Sequence, residues 1–147
     1  MDLAGEALRR ATGVEPLDYR LVGRWVGHMS QRRFHHESIH AAEPIPGEGT
    51  LGWVAHYSIG TGFAIVLEAV RPGWTAHPRL GPALVTGLLT TAAPWLVMQP
   101  AFGMGVAASR TPTPWVARWR SARTHAIYGA GLYLTARALR WVCPVDG

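Results

Sequence analysis

A chain of 147 residues, 48% hydrophobic and only 16% charged, has room for one domain and is apolar for its size. Its formal net charge of +5 arises from fourteen basic residues, all arginine, spread along the chain without helix-turn-helix or finger spacing, which argues against a nucleic-acid partner. The single cysteine, Cys143, excludes an internal disulfide and any cysteine-based zinc site.

The N-terminal stretch "MDLAGEALRRATG" carries acids early and has too short an apolar run for a secretory leader, so it is expected to be the tail of another helix. Farther on, "QRRFHHESIHAA" contains His-Glu-x-x-His at His36 to His40. On a helix that spacing sets His36 and His40 one turn apart with Glu37 beside them, as a zinc peptidase requires. Pro44, Pro46, Gly47 and Gly49 break any continuous scaffold behind it, and nothing else in the chain looks like a peptidase, so a chance match on a solvated amphipathic turn is the expected reading. A wider metal reading takes His28, His36 and His40 as candidate ligands of a transition metal.

Three membrane spans are predicted. Residues 51–70, "LGWVAHYSIGTGFAIVLEAV", carry no formal charge until Glu68. Between Arg79 and Arg110 the chain has no acidic or basic side chain, and Leu80 to Met98 is taken as the second span because a bilayer needs only ~20 apolar residues. Pro82, Pro94 and Pro100 suit lipid better than a water-soluble helix. Residues 124–142 form the third span, with Arg137 and Arg140 snorkelling to the headgroups and Trp141 in the aromatic belt. A buried core hairpin of a soluble protein is the plainer alternative for the charge-free run.

This arrangement places residues 1–50 and the loop from Gln99 to Arg123 on one side, with ten arginines, and residues 71–79 and the C-terminus on the other, with four. Positive-inside sorting makes the first side cytoplasmic, so the expected protein is a multi-pass protein of the bacterial inner membrane, a single all-α bundle over residues 1–147.

The stretches "LDYRLVGRWVGHM", "PIPGEGTLGWVAHYSIGTGFA", "LVMQPAFGMGVAASRTP" and "HAIYGAGLYL" resemble the bacterial membrane proteins grouped as domain of unknown function 2938. The resemblance covers roughly Asp2 to Leu134 and implies a membrane location, with no reaction attached. It also implies that the chain starts at the end of a helix that family members carry complete, a four-span pattern reduced here to three.

Depth then selects candidate residues. His56 near the start of the first span, Gln99 at the end of the second and His125 at the start of the third fall at one level on the cytoplasmic side, where polar residues inside a span are costly and functional by default. In an enzyme for a small apolar substrate arriving from the lipid, His56 or His125 would be acid or base. Gln99 would orient the substrate, and Arg110 or Arg120 would hold an anionic group. Trp53, Tyr57 and Tyr128 complete the expected ligand-binding set. The competing class is a noncatalytic membrane protein, a transporter subunit or assembly partner, in which the three polar residues only fix helix register. His56, Gly60, Ala64 and Glu68 make one small-residue seam and Ala83, Gly87 and Thr91 a second, through which a homo-oligomer would pack. His77, isolated between spans, is expected to be an ordinary loop residue.

Overall fold

The structure, a computed structural model, describes residues 18–142, and the expected helix tail at the N-terminus lies outside them. Among the described residues there are helices and loops and no strand. Helix α1 spans Tyr19–Met29, α2 Glu48–Val70, α3 Leu80–Leu89 and α4 Pro114–Val142.

Helix α1 begins at Asp18, whose carboxylate accepts from the Arg20 amide as an N-cap, and its strongly amphipathic sequence turns Leu21, Val22 and His28 inward. It runs antiparallel along the first turns of α2, because Gly23 meets the backbone of Glu48 and Gly52 while Gly52 meets that of Tyr19. A side chain at either glycine would collide with backbone. Arg24 fastens the crossing: its guanidinium grips Glu48 through Nε at 2.8 Å and Nη2 at 2.9 Å, and its Nη1 donates to the carbonyls of Ile39 and Ala42.

Residues 30–47 form no helix. They dock by backbone instead, with the His36 amide donating to the Ala101 carbonyl at 2.8 Å and the Ile39 amide to the Phe102 carbonyl at 3.2 Å. Ile39, Ala101 and Phe102 join Leu21 and Val22 in a small core. Gly103, at φ +85°, permits the close approach to Glu37. The approach to α2 and the loop after Gln99 therefore share one end of the bundle, as expected from the sequence.

The second predicted span is helical but interrupted. The α3 segment ends at Thr90, where the Thr90 and Thr91 hydroxyls bond back to the carbonyls of Gly87 and Leu88. Pro94, which lacks an amide hydrogen, then opens a π-helical turn over Pro94–Met98, closed by the Gln99 amide on the Pro94 carbonyl. Helix α4 starts ten residues before the predicted third span, because Pro114 supplies a pre-formed first turn and Arg118, Arg120 and Arg123 are good helix formers. It packs antiparallel on α3 through Ala83, Gly87 and Gly129, so the second small-residue seam is consumed within the chain. At the far end Leu67, Trp74, Ala83 and Ala136 form a second core cluster.

Two helical segments, Glu48–Val70 and Leu80–Ala101, are long and apolar enough to cross a membrane by length and composition; residues 124–142 fall short of that measure. Only 11% of the most apolar stretch of the first and 22% of that of the second is buried.

Candidate functional site

The polar residues of the bundle gather at the end that holds α1. His125 on α4 reaches Thr90 at the end of α3, with Nδ1 and Oγ1 2.6 Å apart. The single Thr90 hydroxyl hydrogen is directed to the Gly87 carbonyl, also at 2.6 Å. The imidazole therefore donates from Nδ1, and in the neutral ring that tautomer leaves the His125 Nε2 lone pair as an acceptor. A neutral imidazole held this way is a ready hydrogen-bond acceptor or base.

His56 on α2 lies within electrostatic reach of His125. Its ring sits in an aromatic wall, 4.5 Å from Tyr19, 5.7 Å from Tyr57 and 6.0 Å from Trp53 between centroids. Tyr128, one turn along α4 from His125, donates its hydroxyl to the Gly60 carbonyl at 2.6 Å and ties α4 to α2. The structure thus brings His56, His125, Trp53, Tyr57 and Tyr128 to one region. Gln99 is buried where the second segment meets the α1 core, and its Oε1 has no hydrogen-bond partner. Arg110 is exposed in the loop before α4, and Arg120 is half-buried on that helix.

Sequence reasoning missed Tyr19 and Thr90. A threonine pair inside an apolar segment was the available signal for Thr90, whereas Tyr19 enters only through the α1–α2 crossing. Among the described residues three further buried polar atoms lack a protein partner, namely His36 Nδ1, Trp95 Nε1 and Arg123 Nε. With Gln99 Oε1 they all belong to the approach segment, the end of the second helical segment or the start of α4, which form the same end of the bundle. Buried polar atoms cost roughly 1–3 kcal/mol each unless a partner, water or ligand reaches them.

The His-Glu-x-x-His stretch lacks the helix that a zinc peptidase needs: His36 is buried while Glu37 and His40 are exposed. Of the three candidate metal ligands, His28 and His36 meet, with Nδ1 of His28 2.8 Å from Nε2 of His36, and His40 stands apart in the turn at 38–42. Among the described residues no three His, Cys, Asp or Glu side chains converge on a common point.

Burial, followed by the neighbouring His28 and Arg33 side chains, lowers the pKa of His36 below its ordinary 6.5. The unfolded chain therefore binds a proton at this position more readily than the folded one. The stabilisation is fully present above about pH 6.5 and is lost as the pH falls through that value towards the folded pKa. Thermal unfolding in detergent between pH 8 and 5 is expected to show the loss, and His36→Asn is expected to flatten it. An unchanged pH slope in the variant would refute the assignment.

The fold and site define a small helical bundle with a histidine-centred polar region at one end. The chain belongs to the family described as "Protein of unknown function (DUF2938)", whose model matches residues 1–139. No curated protein and no solved structure is significantly similar to it.

Proposed function

We propose that this is a three-span protein of the bacterial inner membrane that binds a small, largely apolar molecule at the level of His56 and His125. The membrane placement rests on apolar side chains that face outward, among them Ile59, Ile65, Val66, Val85, Leu88, Leu89, Leu96 and Val97, all more than 40% exposed. A core helix of a soluble protein would bury them. The third span, residues 124–142, has thirteen uncharged residues between Arg123 and Arg137, and the flanking arginines reach the headgroups by snorkelling. Reporter fusions after Thr75 and after Thr113 are expected to report opposite compartments, with the Thr113 fusion cytoplasmic. The same compartment for both would refute the three-span arrangement.

The observation that carries the binding site is the lock Gly87–Thr90–His125, which in the neutral ring leaves one imidazole nitrogen as an acceptor at the end of the bundle that also holds His56 and its aromatic wall. A ligand with an apolar body and one hydroxyl or amide donor fits that chemistry, and His125 Nε2 is the group that would accept or abstract its proton. His56 would be the second base, with Gln99 Oε1 as a further acceptor. Small molecules retained through purification, measured by mass spectrometry, are expected to be lost in His56→Ala and His125→Ala while both variants still insert. Where the histidines only fix packing, the variants would keep the same bound molecules and lose only about 0.6 kcal/mol of stability, the average for an interhelical hydrogen bond. That result would favour the noncatalytic reading.

A further inference from the structure

A second polar concentration lies at the opposite end of the bundle. Tyr133, Arg137, Arg140 and Trp141 adjoin one another along the last turns of α4, and Pro78, from the turn between α2 and α3, faces them. Together they line a cavity of about 430 Å³, within the range of small-molecule sites. The Pro78 wall is held in place: Trp74 Nε1 donates to the Arg79 carbonyl at 3.1 Å, and Trp74 packs in the cluster with Leu67, Ala83 and Ala136.

Among the described residues no carboxylate lines this cavity. Glu68, the acid of the adjoining turn, is committed elsewhere, accepting from the amides of Gly73 and Thr75 and from the Thr75 hydroxyl. Arg137 donates to the Tyr133 hydroxyl at 3.1 Å, and its guanidinium carbon stands 5.8 Å from the centre of that ring. The hollow therefore pairs two cations with aromatic walls. It opens beside exposed apolar surface, with Leu134 63%, Trp141 82% and Val142 77% exposed.

A guanidinium is a planar, weakly hydrated fork that matches a phosphate bidentately. Two of them on one helix face, with no counter-carboxylate among the described residues, call for a net negative group. The apolar rim calls for a hydrocarbon attached to it. We infer that this cavity binds the phosphate headgroup of an anionic phospholipid, with Arg137 and Arg140 on the phosphate and Tyr133 and Trp141 beside the glycerol and first methylenes. A zwitterionic headgroup is disfavoured because its ammonium would meet the same two cations. The site lies at the opposite end from His56 and His125 and depends on neither.

The test is native mass spectrometry of the full chain in detergent, titrated with phosphatidylglycerol or phosphatidylcholine. This readout does not depend on membrane topology, so its failure is separable from failure of the three-span reading. Phosphatidylglycerol is expected to bind as one copy per chain at least about tenfold more tightly than phosphatidylcholine, whose phosphate is equally matched but whose ammonium meets the two guanidinium groups. R137Q/R140Q is expected to abolish the preference, while R71Q/R79Q, which removes the same charge from the same end outside the cavity, retains it. Displacement of the lipid by millimolar inorganic phosphate would assign the site to phosphate itself, and resistance to it would assign the site to the lipid. Equal binding of the two lipids by the unaltered chain, unchanged preference in R137Q/R140Q, or equal loss in R71Q/R79Q would overturn the proposal.

Discussion

Gly129→Val is expected to separate α3 from α4 and to prevent recovery of folded protein from detergent. A Cβ at Gly129 would stand 2.5 Å from the Ala83 carbonyl oxygen and 3.0 Å from the Leu84 Cα. Both neighbours are backbone, so no side chain can rotate away. Overpacking in a core that can relax costs about 1–3 kcal/mol, and a rigid helix crossing is expected to exceed that range. Gly129 is one turn from His125, so the displacement also breaks the bond to Thr90. Gly131→Ala, on the same helix but facing open space, is the control and is expected to be neutral or slightly stabilising. Equal stability of Gly129→Val and Gly131→Ala, measured by thermal unfolding, would refute the close crossing.

Arg24→Ala is expected to be strongly destabilising at the other crossing. The Arg24 and Glu48 side chains are only 11% and 13% exposed, and their pairing is bidentate. Removing the guanidinium leaves a carboxylate with little water around it and takes a donor from the carbonyls of Ile39 and Ala42. The pair is partly buried, so breaking it is expected to cost about 1–3 kcal/mol, below the range for a fully buried pair. Arg24→Lys is expected to rescue little, since a single ammonium cannot span a carboxylate and two carbonyls in the geometry of a planar fork. Arg24→Met with Glu48→Leu is expected to cost less than the sum of the two single changes, because no charge is then left stranded. Additive losses in that cycle would show that the pair is not the fastening.

Much of the helical order is legible in the sequence because apolar length is a local signal. The first predicted span, 51–70, differs from α2 only by the three residues Glu48–Thr50. The second has no charge to mark a break at Thr90 and Thr91, yet their hydroxyls compete for backbone carbonyls and end α3. The start of α4 lies before the predicted span because arginine marks the boundary of a span but still favours helix, and Pro114 sets the first turn. "QRRFHHESIHAA" has the spacing of helical turns, but the backbone of His36 and Ile39 finds its partners on residues 101 and 102, far along the chain. For the same reason the contact of His28 with His36 and the Thr90–His125 bond, 35 residues apart, have no local signature. The similar level of His56 and His125 is legible because it depends only on depth along a helix.

In the proposed bundle α2 and α4 hold His56 and His125 at one level. The sharpest check is His56→Cys with His125→Cys in a chain whose Cys143 is replaced by serine, treated in intact membranes with a short bismaleimide. An intramolecular crosslink is expected in that pair. None is expected when Glu68→Cys replaces His56→Cys, since Glu68 lies three turns farther along α2. Absence of the 56–125 crosslink, or equal crosslinking of both pairs, would refute this placement.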